Sequence, residues 1–328
     1  MKTKSLIIFS LFFLLASCGE LSTTDSLNEE TTSSPTSSLT TTSVDKKLYI
    51  KVVKQYLGYS PTKIETYINN VLTNNLNLYY EIMDESICKI ENGFVDGFKI
   101  GTTTVFASLE DGTEASFEVF INDPAEYIFD RDVRSRLEDF ERNGNYANPT
   151  LFIGDSFFDE HNFWNSFYQD FSESKKCITV GISSSKTTDW LMFRDKLIFN
   201  LNPKNLIIHL GTNDVNDSTI NKTPEEYYLQ ITTFLDYVVE ALPNVPIYYF
   251  GIENRTATSG YGSKNPYVEI VTAKLKDEYA QRYSNFTYID SPAIFNANQN
   301  KYIRADGIHP SADGYAYYVD VLNNLVNF

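Results

Sequence analysis

The chain of 328 residues contains only three cysteines, which are too few for the disulfide framework of a small secreted fold. Cys88 and Cys177 fall in different predicted domains, so we expect each to be a buried free thiol. Positive charge is also scarce, since 27 Lys and Arg face 43 Asp and Glu and the formal net charge is −16. A protein that binds along a phosphate backbone needs a basic surface, so nucleic acid is excluded as a partner. Hydrophobic residues make up 42% of the chain, which is typical of a folded soluble protein.

The apolar run near the N-terminus, residues 6–16, is too short to cross a membrane. Eleven helical residues span only about half of a hydrocarbon core of ~30 Å. Two lysines precede the run, so residues 1–17 are predicted to be an export signal peptide. Residues 15–19, Leu-Ala-Ser-Cys-Gly, resemble the lipobox of bacterial lipoproteins, with an ordinary cleavage site as the alternative. The resemblance implies that Cys18 carries lipid and anchors an exported protein to the outer face of a bacterial membrane.

Residues 18–46 are rich in serine and threonine and are predicted to form a disordered linker. Residues 47–123 instead contain about seven short β-rich runs separated by turns, a pattern typical of a small all-β sandwich. The stretch 86–119, with Asn-Gly at 92–93 and Asp-Gly at 111–112, resembles the bacterial Ig-like domains of group 2. That resemblance implies a spacer, with contact to an extracellular glycan or protein as the alternative.

Residues 124–328 alternate apolar strands with amphipathic helical stretches, and the last helix is predicted near 311–325 with Ser311 as its N-cap. Five strands are predicted, at residues 150–153, 177–180, 205–210, 246–250 and 286–289. This alternation favours a parallel sheet with helices on both faces. Ligands bind beyond the carboxyl ends of the strands in such folds, so the residues that follow each strand are the candidates for function.

Ser156 follows the first of these strands directly, but a serine hydroxyl is a poor nucleophile until a base takes its proton. The chain has only three histidines. His209 lies inside a predicted strand and is expected to pack under a helix. His161 is too close to Ser156 in the sequence to be the favoured base. His309 precedes the last helix and titrates near neutral pH, so it is the predicted base. Asp306, three residues earlier, can hold the imidazole by its other nitrogen.

An acyl-transfer site also needs donors for the developing oxyanion. The backbone N–H groups of Ser156 and Gly181 and the side-chain amide of Asn213 are the candidates, because each follows a predicted strand. Asp155 is expected to brace the nucleophile turn. Asp214 is an alternative carboxylate for the triad, although a bracing role for it is favoured.

Four blocks of the sequence resemble those of the SGNH hydrolases, also called the GDSL esterase/lipase family. The blocks are Gly154-Asp155-Ser156, Gly181, Gly211-Thr212-Asn213-Asp214 and Asp306-x-x-His309. The resemblance implies a three-layer α/β/α, flavodoxin-like domain in which Ser156 is the nucleophile. It also implies that Gly181 and Asn213 complete the oxyanion hole and that Asp306 and His309 complete the triad.

The sequence departs from the family pattern at Phe157, where the family name has leucine, and in the serines at 183–185 after the second block. Phe157, Phe158, Phe163 and Trp164 either shape the substrate pocket or pack under the sheet. Metal-binding patterns such as HExxH, paired CxxC and an EF-hand loop are missing, so neither a metal nor another cofactor is expected.

The predicted function is two-step hydrolysis of a carboxylic ester at the cell surface. A surface location and a spacer favour O-deacetylation of a polysaccharide or glycan. A lysophospholipase or short-chain lipid esterase is the first alternative, and a non-catalytic adhesin that binds through the Ig-like domain is the second.

Overall fold

The computed structural model describes residues 46–73, 76–142, 147–171, 175–216, 222–260 and 262–328. The predicted signal peptide, Cys18 and almost all of the predicted linker lie outside the described residues. Within the described ranges, the helices are too short or too polar to span a membrane. Cys88 and Cys177 are both free and buried, as the sequence predicts.

Residues 48–122 form ten short strands in three sheets, where the sequence predicts about seven strands. These strands are β1 (Leu48–Ile50), β2 (Val53–Tyr56), β3 (Thr62–Lys63), β4 (Thr66–Ile68), β5 (Val71–Leu72), β6 (Tyr79–Ile82), β7 (Cys88–Glu91), β8 (Phe94–Gly97), β9 (Gly101–Ser108) and β10 (Glu114–Asn122). The sheets have the orders β1-β4-β5, β2-β10-β9-β6 and β3-β8-β7. Among the extra strands, the chain between residues 48 and 56 divides into β1 and β2, and a turn at Asn69 and Asn70 separates β4 from β5.

These strands share a hydrophobic core of their own, in which Val95, Val105 and Val119 are fully buried. Along β9 and β10, buried residues alternate with more exposed ones, which is the pattern of a sheet with one packed face. The strand-rich segment therefore has the core and the alternation that an all-β domain requires. Its assignment to the Ig-like domains stays a prediction.

The five strands predicted in the second half of the chain are all present. They are β11 (Thr150–Gly154), β12 (Cys177–Thr179), β13 (Asn205–His209), β14 (Ile247–Phe250) and β15 (Phe286–Ile289). All four neighbouring pairs are parallel, and the sheet order is β12-β11-β13-β14-β15. Numbered within this domain, the order is 2-1-3-4-5, which is the flavodoxin-like arrangement.

Helices cover both faces of this sheet. The α-helices in the described residues are α1 (Asp130–Arg142), α2 (Phe167–Asp170), α3 (Thr187–Leu197), α4 (Thr212–Val215), α5 (Pro224–Ala241), α6 (Asn265–Asp277), α7 (Ser291–Ala297), α8 (Gln299–Tyr302) and α9 (Ala312–Leu325). Successive strand residues face opposite sides, so Leu151 packs in one core with α1, α3, α5 and α6, whereas Phe152 packs in another with α2, α7 and α9. The domain therefore has the predicted three layers.

The strand-rich segment is hydrogen-bonded to helices α1 and α3 of the sheet domain. The Tyr59 hydroxyl donates to Asp130 on α1 at 2.9 Å, and the backbone N–H of Ser60 donates to the carbonyl of Met192 on α3 at 3.1 Å. All described residues belong to one compact unit. The spacer interpretation of the sequence did not anticipate these buried contacts.

Candidate active site

The nucleophile candidate lies on a tight turn at the carboxyl end of β11. Ser156 begins a 3-10 turn through Phe158, and the Asp155 carboxylate accepts from the Phe157 N–H at 3.1 Å. A side chain at Gly154 would bring its Cβ within 2.6 Å of the His209 carbonyl oxygen on the neighbouring strand. Glycine is therefore needed where the chain leaves the sheet, and Asp155 has the bracing position expected for it.

The structure brings Ser156, His309 and Asp306 into one hydrogen-bonded chain. Ser156 Oγ lies 2.9 Å from His309 Nε2, and His309 Nδ1 lies 3.0 Å from Asp306 Oδ2. The other carboxylate oxygen of Asp306 accepts from the backbone N–H groups of Ile308 and His309 at 2.9 and 3.0 Å. Because the carboxylate faces Nδ1, that nitrogen carries the proton and Nε2 is free to accept from the serine hydroxyl.

The surroundings of His309 keep it neutral at neutral pH. Burial lowers the pKa of His309, and the Asp306 carboxylate offsets only part of that effect. Burial alone would raise the pKa of Asp306, but the hydrogen bonds from His309 and Ile308 together lower it. Near neutral pH, the imidazole can therefore act as a base and the carboxylate stays ionised.

The aromatic residues that follow Ser156 divide into three core residues and one that is only half-buried. Phe157, Phe158 and Trp164 are almost fully buried in the core beneath the sheet. The ring of Phe163 instead stacks on the His309 imidazole, with centroids 3.8 Å apart and an interplanar angle of 22°. Phe163 is half-buried and stacks on the imidazole, whereas the ring of Phe157 lies farther from it, with centroids 5.7 Å apart and an interplanar angle of 48°.

The three candidate oxyanion donors follow adjacent strands of the sheet. No described residue accepts a hydrogen bond from the backbone N–H of Ser156, whereas that of Gly181 has only a long bond, 3.4 Å, to the Thr179 hydroxyl. The side-chain amide of Asn213 donates to the Ser185 carbonyl at 3.1 Å. This bond attaches Asn213 to the loop after Gly181, and the amide nitrogen keeps a second N–H that can donate to a substrate oxygen.

A buried charged network of His209, Glu253 and Asp155 lies beside the nucleophile turn. His209 is a buried strand residue, as predicted, and its Nε2 lies 2.9 Å from Glu253. Its Nδ1 lies 3.7 Å from the Asp155 carboxylate. Burial would lower the pKa of His209, but Glu253 and Asp155 together raise it to about 9. The signal for this network is an acidic residue, Glu253, just after the buried strand β14.

Asp214 lies away from the triad and braces a helix. Its buried carboxylate accepts from the Thr187 N–H at 3.2 Å, at the first turn of α3, and from the Gln230 amide at 2.5 Å. Burial raises the pKa of Asp214 to about 6, and the bonds from Thr187 offset part of that effect. A carboxylate at this place satisfies N–H groups that have no partner inside the helix, so the geometry matches the bracing role.

His161 belongs to a separate cluster beside Arg136. Ligand atoms of Asp139, Glu160 and His161 lie within 4.8 Å of one another, which is the spacing of a candidate metal site. The guanidinium of Arg136 lies 2.7 Å from His161 Nδ1 and within 3.8 Å of both carboxylates. Because Arg136 already supplies positive charge to these groups, the cluster fits an internal ion network better than a metal site.

The model of the GDSL-like lipase/acylhydrolase family matches residues 152–317, which is half of the chain. The match contains the nucleophile turn, the three donor positions and the loop with Asp306 and His309. The chain therefore belongs to this family. It is an acylhydrolase in the class of esterases and lipases that act on carboxylic esters.

Several solved structures are similar to this chain at low identity. A GDSL-like lipase from Bacteroides thetaiotaomicron is 18% identical, with a TM-score of 0.44, and the match covers 57% of this chain and 95% of that one. A lipase/acylhydrolase from Enterococcus faecalis is 16% identical, with a TM-score of 0.43 and coverages of 54% and 94%. An acetylxylan esterase from Geobacillus stearothermophilus is 18% identical, with a TM-score of 0.41 and coverages of 55% and 94%. A comparison with curated proteins found no match.

Proposed function

We propose that this acylhydrolase is a serine esterase at the bacterial cell surface that removes O-acetyl groups from a polysaccharide or glycan. The observation that carries the mechanism is the pair of contacts that join Ser156 to His309 at 2.9 Å and His309 to Asp306 at 3.0 Å. Such a chain activates a serine hydroxyl without another reactant. The surface location is supported by the lipobox resemblance around Cys18.

The proposed reaction has two acyl-transfer steps. Ser156 Oγ attacks the ester carbonyl carbon while His309 Nε2 takes the hydroxyl proton. The oxyanion accepts hydrogen bonds from the backbone N–H groups of Ser156 and Gly181 and from the second N–H of the Asn213 side-chain amide. His309 then gives the proton to the leaving alcohol, and the acyl group stays on Ser156. In the second step His309 takes a proton from water as the water attacks the acyl-enzyme carbonyl, and His309 then returns that proton to Ser156 Oγ as the bond to the acyl group breaks and the acid leaves.

The polar rim of the site supports a sugar as the alcohol part of the ester. The Arg304 side chain is 44% exposed, lies 3.8 Å from the Asp306 carboxylate and has its guanidinium carbon 5.6 Å from the centre of the Phe163 ring. Asp306 itself is 37% exposed. Groups of this kind can hydrogen-bond a sugar hydroxyl, whereas a long acyl chain gains little from them. The nearby rings of Phe157 and Phe158 are already buried in the core.

The test is an ester series on residues 19–328, with wild type beside Ser156→Ala and Ser284→Ala. Ser284 is exposed and distant in sequence from the blocks, so its variant is the matched control. We expect p-nitrophenyl acetate to be hydrolysed faster than esters of eight or more carbons, and acetate to be released from an acetylated polysaccharide. Ser156→Ala should remove both activities and Ser284→Ala neither. Preference for long acyl chains, or for lysophospholipid, would replace the glycan assignment by the lipid one.

A further inference from the structure

A buried arginine on α1 reaches two of the three loops that carry the proposed oxyanion donors, those of Ser156 and Gly181. Arg136 Nε donates to the Gly181 carbonyl at 2.9 Å, and Nη2 donates to Asp159 Oδ1 at 2.8 Å. The Arg136 side chain is only 4% exposed, and that of Asp159 is 1% exposed. A charge buried this deeply is stable only when it is paired and hydrogen-bonded, as it is here.

Asp159 extends the connection from the arginine to both loops. It ends the turn that begins at Ser156, and its second oxygen accepts from the Ser183 hydroxyl at 2.5 Å. At Gly181, an added Cβ would lie 2.3 Å from the backbone of Phe158. The nucleophile turn and the loop after β12 are therefore in direct backbone contact, and Asp159 joins them through side chains as well.

We propose that Arg136, Asp159 and Ser183 form a loop clamp that holds the Gly181 N–H at a fixed distance from Ser156. They are positioning residues, because none of them lies in the hydrogen-bonded chain of the triad. The inference rests on the proposed oxyanion role of Gly181. Donors of an oxyanion hole act only when they are held in place before the reaction, and a displacement of about 1 Å can cost about 100-fold in rate.

The clamp requires the shape of arginine as well as its charge. All three guanidinium nitrogens are used, since Nη1 lies 2.7 Å from His161 Nδ1 while the other two bind Gly181 and Asp159. A lysine has one nitrogen at the end of its side chain and cannot donate in these three directions at once. Arg136→Lys therefore keeps the charge but loses part of the clamp.

The test compares Arg136→Ala, Arg136→Lys and Ser183→Ala with Arg134→Ala, after circular dichroism shows which variants are folded. Arg134 is the control because it lies on the same helix and its side chain is 65% exposed. For p-nitrophenyl acetate, Arg136→Ala should lower kcat about 100-fold with KM within about twofold of wild type. Arg136→Lys and Ser183→Ala should give smaller losses. Millimolar guanidinium should restore part of the activity of Arg136→Ala, and the same concentration of sodium chloride should not.

The rate of backbone amide deuterium exchange tests the clamp without depending on turnover. The clamp predicts faster exchange at residues 181–185 in Arg136→Ala and in Ser183→Ala, and unchanged exchange in Arg134→Ala. Unchanged exchange at residues 181–185 in Arg136→Ala, or an unchanged kcat in a folded but less stable Arg136→Ala, overturns the clamp. An inactive wild-type enzyme that still shows the predicted exchange contradicts the proposed function and leaves the clamp standing.

Discussion

At the scale of single residues, the catalytic proposal depends on the protonation state of His309. Its imidazole lies between Ser156 and Asp306 and packs on Phe163, so it is largely removed from water. Burial lowers its pKa more than Asp306 raises it. The sequence could indicate which histidine is the base, because the chain has only three. It could not show the stacked ring, which depends on how the segment after Ser156 folds back over the site.

The pH dependence of the reaction follows from this environment. The base must be neutral, so kcat/KM should fall as the pH falls through the pKa of His309, with the midpoint below the ordinary value of about 6.5. The measurement is kcat/KM for p-nitrophenyl acetate from pH 4.5 to 8. A midpoint above pH 7 would contradict the environment described for this imidazole.

At the scale of strands and helices, the buried strands and the start of the last helix could be predicted from apolar runs and from a capping residue. The five buried strands of the sheet read as apolar runs, and Ser311 caps α9 by accepting from the Gly314 N–H at 3.2 Å. Arg136 gave no such signal, because Asp159 and Gly181 are distant from it in sequence and meet it only through packing. Local patterns therefore indicated Ser156, His309 and Asp306, which the structure joins by hydrogen bonds, whereas the contacts of Arg136 became apparent only in the folded chain.

The buried network of His209, Glu253 and Asp155, at the carboxyl end of β13, should make the free energy of unfolding depend on pH. The pKa of His209, about 9, lies above its unfolded value of about 6.5, so its stabilising contribution is full below pH 6.5 and is lost as pH rises through 9. His209→Asn leaves Asp155 and Glu253 buried without their cation, so it should lower the free energy of unfolding by about 3 kcal/mol at pH 6. The loss should be clearly smaller at pH 9.5 in urea unfolding.

A matched variant separates the charge of His209 from the packing around it. Tyr318→Phe removes a hydrogen bond of 2.8 Å to Glu253 but keeps the imidazole in place. Its cost should be about 1 kcal/mol and the same at both pH values. An equal loss for His209→Asn at pH 6 and pH 9.5 would show that the imidazole is not charged in the folded chain.

At the scale of the whole molecule, the strand-rich segment and the sheet domain are packed together. Tyr56 stacks on Tyr127 with centroids 4.5 Å apart, and the Arg194 guanidinium donates to the Pro61 carbonyl at 3.0 Å. Helix α1, which contains Arg136, lies on the same face of the sheet domain. Composition and turn patterns indicated two regions along the chain, but they carry no information about which surfaces of those regions meet.

This packing predicts how the chain unfolds. Residues 46–328 should show one cooperative transition in calorimetry, because Tyr59 and Tyr127 are buried between the two regions. Tyr59→Phe removes the bond to Asp130 and should lower the stability of that whole unit by about 1 kcal/mol. Two separate transitions, only one of them moved by Tyr59→Phe, would indicate independent domains.

The most direct test of the account is covalent labelling of the nucleophile. A fluorophosphonate reacts with an activated serine, whose Oγ displaces fluoride and forms a stable phosphonyl ester. Mass spectrometry of the digested protein should place one label on Ser156 in wild type and in Ser284→Ala. His309→Ala should react far more slowly because nothing takes the serine proton. A label on another residue, or none on folded wild-type protein, would contradict the assignment of Ser156, His309 and Asp306 as the catalytic triad.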